Sequence, residues 1–185
     1  MTNENLIEKL PIKWSDITLN QYINFSKQIK SIIDEGFEDK ELMSRVVAIF
    51  FYSFTGVNIV DAKLNASQMM MVINRMNQFQ SDARNEIEVD ESKIKEFDKI
   101  TFEEFITFLK YQELNDIQYY GEMINLLLET PIDDIGNQMN MAQANSFFLL
   151  LRQRLQKYLH HSQTSLKEKM KQLQVSELLP QIKDS

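Results

Sequence analysis

The chain of 185 residues contains no cysteine, which excludes disulfides, thiolate metal sites and cysteine nucleophiles together. Glycine occurs four times and proline three. That is too seldom for a sandwich or barrel, which needs a turn about every ten residues. The four glycines are scattered, so neither a G-x-G-x-x-G turn nor a Walker phosphate loop is present. The acidic stretch 82–104 holds no glycine, and a calcium loop of the EF-hand type requires one. The only histidines, His160 and His161, are adjacent and cannot supply the i, i+4 spacing of H-E-x-x-H ligands. No G-x-S-x-G elbow occurs, and no S-x-x-K appears with its partner motifs. The 27 acids single out no carboxylate pair for acid–base work. The chain is therefore expected to be no enzyme, and no catalytic, cofactor-binding or metal-ligating residue is nominated. No apolar run reaches the roughly 18 residues of a membrane span, and no N-terminal run resembles a signal peptide. A soluble protein made inside the cell is the expectation.

What is present is helix-forming sequence. Hydrophobic residues make up 43% and charged residues 25%, ordinary globular values rich in Leu, Ile, Met, Gln, Glu and Lys. The spacing predicts a mainly α fold of six to seven helices with a long C-terminal helix. Pro11 keeps Leu10 extended, and the first long helix runs from Leu19 to about Glu35, stopped by Gly36. Asp39 is expected to cap a second, over about 40–54, closed by Thr55-Gly56. Its run Val46 to Phe54 is apolar nearly all round, so it should be buried. Residues 57–64 read as a connector. Asn65 or Ser67 then starts a Met-rich helix through about Phe79, whose methionines suit adaptable core filling. Residues 81–99 form an acidic connector, and the alternation in it allows a short β-hairpin near 85–90. Two halves, 1–80 and 100–185, flank this connector, with a single compact domain as the alternative. Helices over 102–112 and from Asn115 or Asp116 to about Glu129 follow. Pro131 then restarts a short turn that Gly136 breaks. Phe50, Phe51, Phe54, Phe147, Phe148 and Leu151 are the expected core.

From Met141 to Gln174 neither glycine nor proline intervenes, enough for a helix of about 50 Å. Within it Arg152, Arg154, Lys157, Lys167, Lys169 and Lys171 face only Glu168, a local charge of +5 in a chain of net −7. Cations suit a solvated helix near its C-terminus. They also suit an arm that docks on an acidic surface. Without interleaved aromatics they are a weak signal for nucleic acid.

The most informative stretch is Leu10 to Phe25, which holds the single Trp. Thr18 and Gln21 make a T-x-x-Q capping box, with Ile17 and Tyr22 placed for a hydrophobic staple. The arrangement returns 83 positions on, where Thr101 and Glu104 make the box and Ile100 and Phe105 the staple. Independent origin and an old duplication account equally for the pair.

These same two stretches carry a family resemblance. The lead-in Pro11 to Trp14, then Asp16-Ile17-Thr18 and an amphipathic helix, resembles a recurrent family of tailed phages of Bacteroidales, crAss-like phages included. In that family a second Ile-Thr-x-x-x-Phe follows an acidic connector, as Ile100 to Phe105 does here. The resemblance covers roughly residues 8–130. Two features depart from it: Glu103 stands where the family often has Gly, and the basic arm beyond Gln156 has no counterpart. The resemblance implies a virion accessory or cargo protein that packs, in multiple copies, against portal, tail or capsid components. It would be made in the host cytoplasm and would need no cofactor and no membrane. The alternative it implies is a tail assembly chaperone that binds tail or tape-measure protein and leaves. A DNA-contacting accessory using the basic arm is a third, weaker option.

Overall fold

The structure, a computed structural model, describes residues 2–82, 89–114, 116–155 and 157. Among the described residues the chain is mainly helical and has no strand, only two isolated antiparallel bridges. The hairpin expected near 85–90 falls mostly on residues 85–88, outside the described residues, and 89–90 are not strand. Met1–Phe147 form one compact unit, which spans the acidic connector. Phe148–Ser185 form a second.

In the first unit, α1 (Asn3–Glu8) buries Leu6 and Ile7. The extended lead-in that follows is clipped to α5 (Ala66–Asp82) at two points. The Arg75 guanidinium donates to the Leu10 carbonyl at 3.0 Å, and the Trp14 N–H donates to the Asp82 carboxylate at 2.6 Å. Asp16 accepts from the N–H groups of Ile12 and Lys13, both at 3.0 Å, which folds the segment into a single 3-10 turn. Backbone groups of an irregular segment thus find partners that a helix would have supplied from its own backbone.

Helix α2 (Leu19–Asp34) begins at the Thr18 box: Thr18 Oγ1 accepts from the Gln21 N–H at 3.2 Å, and Gln21 Oε1 accepts from the Thr18 N–H at 2.9 Å. It ends at Gly36, whose φ of 75° lies in the left-handed region that glycine takes without strain. Next come α3 (Asp39–Thr55) and α4 (Ile59–Ala62). Helix α3 packs on α2, α4 and α5. Phe25, Phe50, Phe54 and Phe79 form a closed set of tilted and edge-on ring contacts with centroids 5.3–6.4 Å apart, which Tyr22 and then Trp14 extend. Phe50 and Phe51 are fully buried, each burial contributing about 1.5–3 kcal/mol.

The rest of the unit is α6 (Phe102–Leu114), α7 (Tyr120–Leu126), α8 (Ile135–Gln138) and the start of α9 (residues 141–155). Lys95 N–H donates to the Leu127 carbonyl and Glu129 N–H to the Lys93 carbonyl, both at 2.8 Å, making the Ile94–Leu128 bridge. The second bridge, Thr18–Asn140, pairs Leu19 N–H with the Met139 carbonyl and Met141 N–H with the Ile17 carbonyl. It sets the entrances of α2 and α9 side by side. Phe147 is buried here, while half-buried Phe148 and buried Leu151 belong to the second unit.

Several local expectations need correcting. Asp39 is the first helical residue rather than the cap; Glu38 holds the extended cap position and makes no side-chain cap bond. Acidic Asp39 still suits the positive end of the helix dipole. The 57–64 connector contains α4, because the Asn58 side chain accepts from the Val60 N–H at 2.9 Å and starts a turn of helix. Helix α7 stops at Leu126, short of Glu129, since Leu128 leaves to bridge Ile94. Pro131 lies outside helix, and Gly136 does not break one but sits within α8. A Cβ at Gly136 would overlap the Asn20 side chain of α2, so the missing methyl leaves room for the Asn20 amide against α8.

Candidate functional site

The side chains the fold leaves out in water are the first candidates for a site. Helix α5 turns Val72, Met76 and Phe79 inward and leaves Met70 and Met71 exposed; Val60 on α4 is 77% exposed. Met43 and Tyr52 stand out on α3, and Phe102 and Ile106 on α6, with Phe102 80% exposed. Single exposed apolar residues are ordinary. Several large ones occur here in one unit, and a contact surface is made where such side chains lie side by side.

The cationic arm is only partly described. Arg152 and Lys157 are exposed, Arg154 is half-buried, and Lys167, Lys169 and Lys171 lie outside the described residues, as do His160 and His161. The continuation of the long helix to 174 lies outside them too.

The Thr101 box has a further partner that the Thr18 box lacks. Thr101 Oγ1 accepts from the Glu104 N–H at 3.2 Å, while Glu104 accepts from the Thr101 N–H at 2.9 Å. The other Glu104 oxygen takes a 2.7 Å bond from Lys95 Nζ, which also donates to the Leu126 carbonyl at 3.1 Å. The Lys95 ammonium and the Thr101 N–H together hold the Glu104 carboxyl below the usual range. One lysine thereby ties the entrance of α6 to the end of α7. Nearby, hydrogen bonding and charge from Glu129 raise Lys99, and the Ser92 hydroxyl and N–H lower Asp90. Burial, with Tyr22 nearby, raises the Tyr120 phenol. The Glu104, Lys99 and Asp90 shifts follow from local pairs, the Tyr120 shift from burial.

A cavity of about 560 Å³ opens beside the Ile94–Leu128 bridge. Leu128, Pro131, Ile132, Met139 and Phe147 give it an apolar lining, and Lys93 and Glu129 are among its polar residues. Both charges are already paired, Lys93 with Asp90 at 3.8 Å and Glu129 with Lys99 at 3.1 Å. The cavity's residues come from four separate stretches of chain, so no local sequence pattern announces it.

No family model, curated protein or solved structure matches this chain. Among the described residues, no three His, Asp or Glu side chains gather where a metal ion could be held, and no helix is long and apolar enough to cross a membrane.

Proposed function

We propose that this chain is a non-enzymatic accessory or cargo component of a tailed-phage virion, packed against portal, tail or capsid proteins in several copies. The observation that carries the reading is the set of large apolar side chains standing in water on the first unit, Val60, Met70 and Met71 above all. Burying such side chains against a neighbour contributes on the order of 1.5–3 kcal/mol each, which favours a protein that works by contact. The resemblance of Pro11–Tyr22 and Ile100–Phe105 to the Bacteroidales phage family supplies the setting. On this reading the protein is made in the host cytoplasm and resides in the virion. The cations from Arg152 to Lys171 then meet an acidic neighbour.

A second reading, a tail assembly chaperone, is favoured by the paired Met70 and Met71, since flexible thioethers adapt to more than one apolar segment. Mass spectrometry of purified particles separates the two. Several to dozens of copies per particle support the virion component. Presence in infected cells and absence from particles refutes it in favour of the chaperone.

A further inference from the structure

Helix α6 carries an apolar seam that nothing described covers. Phe102, Ile106 and Leu109 follow one another at intervals of four and three along one side of the helix, with Glu113 next in line. Phe102 is 80% and Ile106 46% exposed, and Leu109 is half-buried. The opposite side is the one held by the fold, through buried Phe108. Intervals of four and three are the spacing of a two-helix seam.

The charges flanking the seam indicate what covers it. Glu103 and Lys110 are both exposed, neither is ion-paired among the described residues, and they stand seven positions apart. Seven positions return a helix to nearly the same side, so both lie on one flank of the seam. In an antiparallel pair of identical helices, the same flank of each copy meets. With a two-fold axis between Ile106 and Thr107, Glu103 of each copy lies opposite Lys110 of the other. The same operation makes the contact twice, as an isologous interface requires. A foreign partner would have to supply this pattern of opposite charges; a second copy already has it.

We propose that α6 is a self-association surface, pairing antiparallel with α6 of a second copy through Phe102, Ile106 and Leu109 and the reciprocal Glu103–Lys110 contacts. The inference does not rest on the virion reading. A contact built mainly on one helix of 13 residues falls at the small end of interface sizes, so the dissociation constant is on the order of micromolar.

Sedimentation velocity of the full chain, from about 1 to about 200 μM, should show a monomer–dimer equilibrium in that range. Glu103→Lys or Lys110→Glu alone places like charges opposite each other twice and should weaken the dimer roughly tenfold. The double variant Glu103→Lys/Lys110→Glu should restore it. Because the chain has no cysteine, Ile106→Cys, close to the proposed axis, should give a disulfide-linked dimer on mild oxidation, whereas exposed Met43→Cys on α3 should not. Far-UV circular dichroism checks that each variant stays folded. A wild-type chain that remains monomeric throughout overturns the proposal. So does a dimer indifferent to the single reversals, or one not recovered in the double variant.

Discussion

Replacing Phe50 by Ala tests whether the first unit is held by its aromatic cluster. The Phe50 ring is fully buried and has centroids at 5.3 Å from Phe54, 5.8 Å from Phe79 and 6.0 Å from Phe25. Truncating a buried Phe to Ala typically costs about 3–5 kcal/mol, from lost transfer free energy and the cavity left behind. Each favourable ring pair contributes about 0.5–1.5 kcal/mol of its own, and three are lost here. The upper part of that range is therefore expected. Against a total of about 5–15 kcal/mol for an ordinary domain, the variant should lose a large share of its stability. Urea titration followed by fluorescence is a suitable assay, because the lone Trp14 ring lies 5.1 Å from Tyr22 at the edge of this cluster. Phe50→Leu, which loses the ring pairs but leaves a smaller cavity, should cost less than Phe50→Ala and guards against a variant that does not fold. Phe102→Ala, exposed on α6, should stay within about 0.5 kcal/mol of wild type at concentrations where the chain is monomeric. A loss below about 1 kcal/mol for Phe50→Ala, or an equal loss for Phe102→Ala, would refute the assignment of Phe50 to the load-carrying core.

Three further outcomes are expected. Gly136→Ala forces the Asn20 amide to move, so its effect on stability should become more favourable when Asn20→Ala is made first; a double-mutant cycle with no coupling would contradict the close contact. Thr18→Ala and Thr101→Ala should each cost about 1 kcal/mol in denaturant titration, and a neutral effect at both would contradict the boxes as stabilising caps. Glu104 has its folded pKa lowered, so its contribution is present above the unfolded carboxylate pKa and is lost as pH falls through the lower folded value. The stability difference between wild type and Glu104→Gln should therefore be full near neutrality and shrink in acid. A difference that stays constant down to acid would remove the Lys95 and Thr101 bonds as its source.

Features set by neighbours in sequence were legible in it. The Thr18 and Thr101 boxes depend on side chains three residues apart, and the α2 stop depends on one glycine. The same logic extends to two boxes not singled out at first: Asn65 with Gln68 and Asn140 with Gln143 exchange the same reciprocal bonds at 2.9 and 3.1 Å. Their signal was there in Asn-x-x-Gln. Where contact from afar decides, local reading failed. Gly136 looks like a helix breaker until the Asn20 amide, from a distant part of the chain, is seen in the place of its side chain. Leu127 and Leu128 continue a helical pattern, yet Lys95 captures the Leu127 carbonyl and Leu128 lies opposite Ile94. For the exposed surfaces, the Met-rich face of α5 was visible as a face. Its division into buried Met76 and exposed Met70 and Met71 was not, because it depends on where α1 and α3 lie against α5.

The bridge between Thr18 and Asn140 also bears on the order of events during synthesis. Ile17 and Leu19 are made well before the groups that receive them, the Met139 carbonyl and the Met141 N–H, leave the ribosome. Contacts so far apart in sequence form late, after much loop entropy has been lost. Until then the nascent chain carries the entrance of α2 without its cover, including Leu19, which is fully buried at the end. A transcript cut short before codon 139 would yield a product with that apolar edge permanently open, a substrate for chaperones and proteases rather than a smaller working protein.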